Sequence, residues 1–200
     1  MYYFAMRTAQ IHRVTKETNV TLSLSLEGAG TVSAATGVGF LDHMLDHLGK
    51  HSLCDLDVRA AGDVQVDDHH TVEDVGICLG QALAKAVGDK AGIRRYGQAM
   101  VPMDEALAEV ALDLSGRSML VFNVTFPGDK IGTFDTQLVE EFLQAFCREG
   151  GVNLHVNVRS GSNDHHIAEA IFKALAQALR SAVSIDPARG GQTPSTKGSL

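Results

Sequence analysis

The sequence predicts an α+β domain built from two homologous halves, and two observations support this. Residues 67–83 read DDHHTVEDVGICLGQAL, and residues 163–179 repeat the pattern as NDHHIAEAIFKALAQAL. Alternating apolar segments precede each copy, and apolar residues at helical spacing follow it. The copies lie about half the chain length apart, too far for a solenoid. We therefore expect duplicated βαβα-type halves, each giving a sheet and a helix pair, packed as an α/β sandwich.

Strands are predicted where apolar and polar residues alternate. In the first half this holds for residues 20–26, with a second short strand at 55–59. In the second half it holds for residues 110–114 and 119–126, with a short strand at 153–159. Alternation with a two-residue period is typical of strands that are buried on one face. Each half is expected to run strand, strand, helix, strand, helix.

Helices are predicted at residues 39–49 and 136–148, and after each copy of the repeat. In those last two segments apolar residues recur at three- and four-residue steps. Asp68 and Asp164, or the residues just before them, are suitable N-caps because a short side-chain oxygen accepts from the first free amides. Gly88 is a suitable stop for the first of these helices.

The domain organisation follows from the repeat. We expect one domain over residues 1–200, with halves at about 10–95 and 96–185. Residues 186–200 are rich in Gly, Ser, Thr and Pro, which predicts a loop or extension after the core.

Composition excludes several classes of protein. Hydrophobic residues make up 44 % and charged residues 20 %, and the formal net charge is −7. That charge argues against a nucleic-acid partner that needs a broad basic face. Three distant cysteines favour a reducing compartment over a disulfide framework. No apolar run reaches the roughly 18 residues that span a bilayer, and MYYFAMRTAQ lacks a signal-peptide pattern, so we expect a cytoplasmic protein without a membrane partner.

The repeated His-His-x-x-Glu motif predicts metal binding. His69 and Glu73 are four residues apart, and His70 and Glu73 three, so either imidazole can share a helix face with the carboxylate. Adjacent helical residues diverge by roughly 100°, so two neighbouring histidines serve two metals more easily than one. A lone histidine is usually structural, whereas two copies of the motif on similar helices favour ligands.

Two facing copies of this helix supply four imidazoles and two carboxylates, and one further histidine per half completes two sites. We assign one site to His43, His70, Glu73 and His165. We assign the other to His69, His155, His166 and Glu169. Such nitrogen and oxygen donors suit Mn, Fe, Co or Zn, with Mn or Fe favoured for six-coordination.

Other histidines allow alternatives. His43 and His47 form HxxxH, but Met44 stands where a zinc protease needs its glutamate, so a protease is disfavoured. His47 and His51 either line a pocket or lie on an exposed helix face. His12 is interpreted as a surface residue.

Long segments of the chain closely resemble imidazoleglycerol-phosphate dehydratases. The matching segments are GVGFLDHMLDHL, DVQVDDHHTVEDVGICLGQAL, ALDLSGR, GTFDTQLVEEF and NDHHIAEAIFKALAQALR. They occur in the family's order from about Arg13 to Gly198, without an attached phosphatase-like domain. The resemblance implies the monofunctional lyase of histidine biosynthesis.

The resemblance also implies a fold similar to the second domain of ribosomal protein S5. It implies a homo-oligomer of 24 subunits with active sites at subunit boundaries, and two Mn²⁺ per active site. The family's ligand set agrees with the two sites assigned above. Because that grouping was not independent of the family, the agreement is a consistency check.

The implied reaction dehydrates D-erythro-imidazole glycerol phosphate to imidazole acetol phosphate. The carbon-bound proton is not acidic, because no carbonyl lies beside it. If both ring nitrogens of the substrate bind metal, the ring becomes an imidazolate whose electrons expel the hydroxyl, giving a diazafulvene-like intermediate. The metals act as Lewis acids and as a template.

Further site residues carry over by resemblance. Glu17, in RVTKETNV, is the candidate acid/base, although it could equally be a solvated charge before a strand. Catalytic roles are also expected for Glu73 and Glu169. Phosphate contacts are expected from Arg95 and Arg117, whose planar guanidinium groups suit phosphate, and from the tail PSTKG. The expected substrate-binding set is Glu17, His43, His47, His51, His69, His70, Glu73, Arg95, Arg117, His165, Ser195, Thr196 and Lys197.

Two other functions remain compatible with these residues. A dinuclear metal-dependent phosphate-ester hydrolase would share the metal ligands and the basic pocket, but it would release inorganic phosphate. A non-catalytic metal-binding or assembly protein would not need Arg95, Arg117 or Lys197. The tail itself could be a disordered terminus, since it lacks the GxxxxGK[ST] frame of a nucleotide P-loop.

Overall fold

The two halves of the chain repeat one order of helices and strands. The computed structural model describes residues 6–198; residues 1–5 and 199–200, at the ends of the predicted domain and tail, lie outside it. The first half contains β1 (Thr8–Val14), β2 (Thr18–Ser25), β3 (Val32–Ala35), α1 (Gly39–Ser52), β4 (Asp55–Gly62) and α2 (His69–Val87). The second contains β5 (Tyr96–Met103), β6 (Ala106–Asp113), β7 (Met119–Asn123), β8 (Lys130–Ile131), β9 (Phe134–Asp135), α3 (Gln137–Gly150), β10 (Asn153–Ser160) and α4 (Asp164–Val183).

Each half forms one four-stranded sheet with the same topology. The strand orders are β1-β2-β4-β3 and β5-β6-β10-β7. In both sheets the last pair is parallel and the other pairs are antiparallel. The α+β class and the duplication are therefore confirmed. A pair of short strands, β8 and β9, is inserted in the second half only.

The expected strand count was too low, because within their halves three strands precede α1 and five precede α3. Pattern analysis missed the inserted pair β8 and β9, and it also missed β1, β3 and β5, which lie at sheet edges. Edge strands bury little of their length, and β5 even contains Pro102, which only an edge tolerates well. Their apolar alternation is correspondingly weak.

The helices form a double layer between the two sheets. In the first half α2 packs on β1 and β2, and in the second α4 packs on β5 and β6; across the layer, α1 packs on α4 and α2 on α3. The α2–α3 approach is close: a Cβ at Gly76 would lie 2.8 Å from the Phe142 carbonyl oxygen, and one at Gly80 2.6 Å from that of Phe146. This packing sets the first turn of α2 against α3, and that of α4 against α1. None of the described helices is long and apolar enough to cross a membrane.

Side-chain hydrogen bonds at the start of α2 and of α4 hold each histidine pair in the first helical turn. The side chain of Asn163, just before α4, accepts from the backbone N–H groups of His165 and His166 at 3.0 and 3.2 Å. At α2 the side chain of Asp67 accepts from the His69 N–H at 2.8 Å. In both helices the side chain that accepts from a first-turn amide thus belongs to the residue just before the predicted aspartate, although Asp68 itself is the N-cap residue of α2. Gly88 ends α2 with a φ of 63°, as predicted.

Candidate active site

The first candidate site lies where α1 packs on α4. Oε1 of Glu169 lies 2.8 Å from His43 Nε2, 2.9 Å from His47 Nε2 and 3.4 Å from His165 Nε2. Lys173 Nζ donates to Oε2 of Glu169 at 2.8 Å. We call these five residues the Glu169 cluster. Three imidazole nitrogens around one carboxylate oxygen form a donor set suited to a divalent metal.

Helical spacing builds the Glu169 cluster. His43 and His47 are one turn apart on α1, and His165, Glu169 and Lys173 follow one another at single-turn spacing on α4. The Glu169 side chain is only 7 % exposed. Burial alone would raise the pKa of Glu169, but hydrogen bonds from Lys173, His43 and His47 outweigh it and hold the pKa well below its usual range. The carboxylate is therefore ionised and available as a ligand.

The imidazoles of α1 extend beyond this cluster. Burial lowers the pKa of His47, although the hydrogen bond to Glu169 opposes that effect. The His51 ring stacks on the His47 ring, with centroids 5.7 Å apart and planes at 17°. Burial also lowers the pKa of His51, and Lys173 adds to the shift. Lowered pKa values favour neutral imidazoles, the form that binds metals.

The second candidate site lies where α2 packs on α3. His69 Nε2 lies 4.0 Å from Glu73 Oε2, and Arg148 donates to Glu73 Oε1 at 3.1 Å. His69, Glu73 and Glu141 place one donor atom each within 4.8 Å of one another. We call His69, Glu73, Glu141 and Arg148 the Glu73 cluster. Sequence analysis missed Glu141, although it occupies the α3 position that His43 occupies on α1.

The second histidine of each pair turns to a loop carboxylate instead. Nδ1 of His70 lies 3.1 Å from both oxygens of Asp63, and Nδ1 of His166 lies 2.7 Å from Oε2 of Glu105. These hydrogen bonds raise the pKa of both imidazoles, and the one from His166 lowers the pKa of Glu105 to about 2. Neither carboxylate was predicted, since no local motif connects Glu105 with His166.

The remaining predicted residues lie elsewhere on the surface. His155 is exposed on β10, between the buried Leu154 and Val156, so it projects from the sheet face that is turned away from the helices. Glu17 is exposed in the β1–β2 turn, where its carbonyl accepts from the Asp63 N–H at 3.1 Å. His12 contacts Asn19 at 3.1 Å on the exposed side of β1.

One chain does not assemble either predicted four-ligand set. Within residues 6–198, the groups of three or more potential ligands are His43, His47 and Glu169, and His69, Glu73 and Glu141. His43, His165 and Glu169 come together, whereas His70 and His166 contact their own loop carboxylates. The ligand assignment therefore stays a prediction.

The predicted phosphate-binding residues do meet in one cavity. The cavity has a volume of about 1030 Å³, and its lining includes Arg95, Arg117, Arg189, Ser195, Thr196 and Lys197. The tail is fixed there by the Arg95 guanidinium, which donates to the Pro194 carbonyl at 2.8 Å and forms two hydrogen bonds, at 2.6 and 2.9 Å, with Asp113. Arg189 was not predicted; a lone arginine in a loop gives no signal. Four cationic side chains in one cavity fit a phosphate group.

Taken together, the duplicated α+β fold, the two imidazole–carboxylate clusters and the cationic cavity define an enzyme with candidate metal sites. The family model for imidazoleglycerol-phosphate dehydratase matches residues 36–179. The chain belongs to this family, whose members are hydro-lyases.

Relatives and solved structures agree with this membership. The imidazoleglycerol-phosphate dehydratase of Jannaschia sp. is 60 % identical over 98 % of this chain and 100 % of its own length. That of Ruegeria sp. is 58 % identical with the same coverage. The crystal structure of the Staphylococcus aureus dehydratase has a TM-score of 0.82 and 41 % identity, covering 90 % of this chain and 99 % of that one. The Pyrococcus furiosus structure also has a TM-score of 0.82, at 34 % identity, covering 95 % and 100 %.

Proposed function

We propose that the chain removes water from D-erythro-imidazole glycerol phosphate, giving imidazole acetol phosphate in L-histidine biosynthesis. Similarity to named dehydratases over 98 % of the chain supports the activity. The structural observation that carries the proposal is the Glu169 cluster, because a buried carboxylate with three imidazoles suits a metal that binds an azole substrate. The cationic cavity supplies a place for the phosphate.

The donor chemistry fits two Mn²⁺ per active site. Imidazole and carboxylate donors without thiolate suit Mn²⁺, and the low pKa of Glu169 keeps its carboxylate charged. The proposed ligands remain His43, His70, Glu73 and His165 for one ion, and His69, His155, His166 and Glu169 for the other. When bound, the two ions would supply Lewis acidity toward the imidazole nitrogens of the substrate.

The chain's own residues then bind the substrate and move protons. Arg95 and Arg117 hold the phosphate, helped by Ser195, Thr196 and Lys197 of the tail. Glu17 is exposed beside the His70–Asp63 pair, which puts a carboxylate next to proposed ligands, where a proton can be taken from the substrate carbon. His47 contacts Glu169 and His51 stacks on His47, so both imidazoles are proposed to contact the substrate beside Glu169.

Assembly completes the sites in this proposal. His155 projects from the outer face of its sheet, away from the helices that carry the other ligands, so a second copy must bring it to them. A homo-oligomer of 24 subunits with shared active sites satisfies this requirement. The cytoplasmic location expected from the sequence stays a prediction.

Turnover of imidazole glycerol phosphate tests the activity directly. Purified protein with Mn²⁺ is expected to convert the substrate to a product that has lost one water, as measured by mass spectrometry, without releasing inorganic phosphate. Chelator-treated protein is expected to be inactive until Mn²⁺ is returned. Phosphate release without the dehydrated product would instead establish the hydrolase.

The cavity is tested by Lys197→Ala. Losing one charge-assisted contact worth about 1.5–3 kcal/mol should raise KM about ten- to a hundredfold. Lys130→Ala removes an exposed lysine from β8 and is the matched control. If KM and kcat of the Lys197 variant equal those of the control, the tail is not the phosphate anchor.

A further inference from the structure

The two halves carry equivalent glutamates at the turn between their first two strands. Glu17 directly precedes β2, and Glu105 directly precedes β6. The turns correspond because each joins the edge strand of its sheet to the neighbouring strand. Duplication thus placed a carboxylate at the same point of each half.

Only one of these equivalent glutamates holds an imidazole. Oε2 of Glu105 lies 2.7 Å from Nδ1 of His166, while Oε1 accepts from the backbone N–H groups of Ser162 and Asn163 at 3.1 and 2.9 Å. In the first half the corresponding imidazole, His70, is held by Asp63. In the part of the chain that the structure describes, the Glu17 carboxylate forms no hydrogen bond.

The halves differ because the position directly after the strand can hold a carboxylate side chain in the first half but not in the second. Asp63 is the first residue after β4, and Gly161 is the first residue after β10. A Cβ at Gly161 would lie 2.6 Å from Ile167 Cγ1, so a side chain is excluded there. The same contact to Nδ1 is therefore made by carboxylates from non-equivalent positions, which shared ancestry alone does not explain.

We propose that Asp63 and Glu105 are positioning residues that fix His70 and His166 through Nδ1 so that Nε2 can bind a metal, and that Asp63 thereby leaves Glu17 free for the substrate. This rests on the proposed metal sites. Nε2 of His166 lies 3.8 Å from Asp104 Oδ2, an exposed carboxylate that a metal would replace as its partner. A carboxylate that accepts from Nδ1–H selects the tautomer whose Nε2 carries the lone pair. It also fixes the rotation of the imidazole ring before the metal binds, so the ring loses less conformational freedom on binding.

Manganese affinity of the whole protein tests the proposal without using activity. Asp63→Asn and Glu105→Gln should each weaken Mn²⁺ binding about ten- to a hundredfold, measured by titration calorimetry. Asp57→Asn and Glu109→Gln are the controls, since each removes the charge of a strand carboxylate that pairs with an arginine and contacts no imidazole. Equal affinity in variants and controls would overturn the proposal.

A double-mutant cycle separates positioning from general loss of structure. It uses Asp63, whose side chain hydrogen-bonds only to His70 among the described residues. If Asp63 acts through His70, Asp63→Asn should not weaken Mn²⁺ binding further in a His70→Ala background. Additive losses would show a role independent of His70 and contradict the inference. Wild-type protein that binds no Mn²⁺ would instead refute the metal sites of the proposed function.

Discussion

The Glu169 and Glu73 clusters occupy equivalent places in the duplicated fold but differ in donors and burial. Glu169 is 7 % exposed and meets three imidazoles and Lys173. Glu73 is 30 % exposed and meets one imidazole, Glu141 and the half-exposed Arg148. Helix α1 supplies histidines where α3 supplies Glu141 and Ala145.

This difference shows how duplication can produce two unequal half-sites. The Glu169 cluster brings together two proposed ligands of one ion, His43 and His165, and one proposed ligand of the other, Glu169. The Glu73 cluster is short of nitrogen donors, which another copy would have to bring. In the proposed assembly, each ion is bound by residues of both the Glu169 cluster and the Glu73 cluster, so neither cluster can function alone.

Removing the central carboxylates should give the largest effects. Glu169→Gln and Glu73→Gln should each lower kcat/KM by more than about a hundredfold, as expected for direct ligands. The metal-free proteins should separate the clusters: Glu169→Gln leaves Lys173 without its carboxylate and should cost about 1.5–3 kcal/mol of unfolding free energy. Glu73→Gln breaks an exposed pair worth less than about 1 kcal/mol.

Denaturant unfolding in chelator measures these stabilities, with Glu109→Gln as a surface control. Equal losses of stability for the two variants would mean that burial does not distinguish the clusters. A Glu73 variant with full activity would remove Glu73 from the ligand set.

The contribution of Glu169 to stability should also depend on pH in the acid range. The pKa of Glu169 is lowered in the folded state, so its contribution to stability is present above the unfolded pKa of about 4.5 and is lost as pH falls toward the folded value. In chelator, the melting-temperature difference between wild type and Glu169→Gln should therefore shrink as pH falls below about 4.5. A difference that persists unchanged at lower pH would contradict the lowered pKa.

The repeat and its helices were predictable because they depend on local patterns. The helix end at Gly88 and the caps near Asp68 and Asp164 follow from short-range backbone chemistry. The edge strands β1, β3 and β5 were missed, because an edge strand packs on few neighbours and selects weakly for apolar alternation.

The site residues, too, were predictable where they depend on a local motif and were missed where they depend on contacts between distant segments. The His-His-x-x-Glu motifs are visible because their residues share a helix face. Glu141 and Glu105 gain their roles only through contacts between distant segments, which a single sequence does not reveal. The motif also gives no sign that His70 and His166 turn to loop carboxylates rather than to the glutamates of their own helices.

The smallest effect is expected at Arg148, which belongs to the more exposed Glu73 cluster. Its guanidinium is 48 % exposed and holds Glu73, so Arg148→Ala should cost only about 0.2–1 kcal/mol in the metal-free protein. Because the arginine and a metal compete for one carboxylate, the variant should bind Mn²⁺ a few-fold more tightly. The loss of melting temperature seen in chelator should then shrink when Mn²⁺ is present. An equal loss in both conditions would mean that Arg148 does not compete with a metal for Glu73.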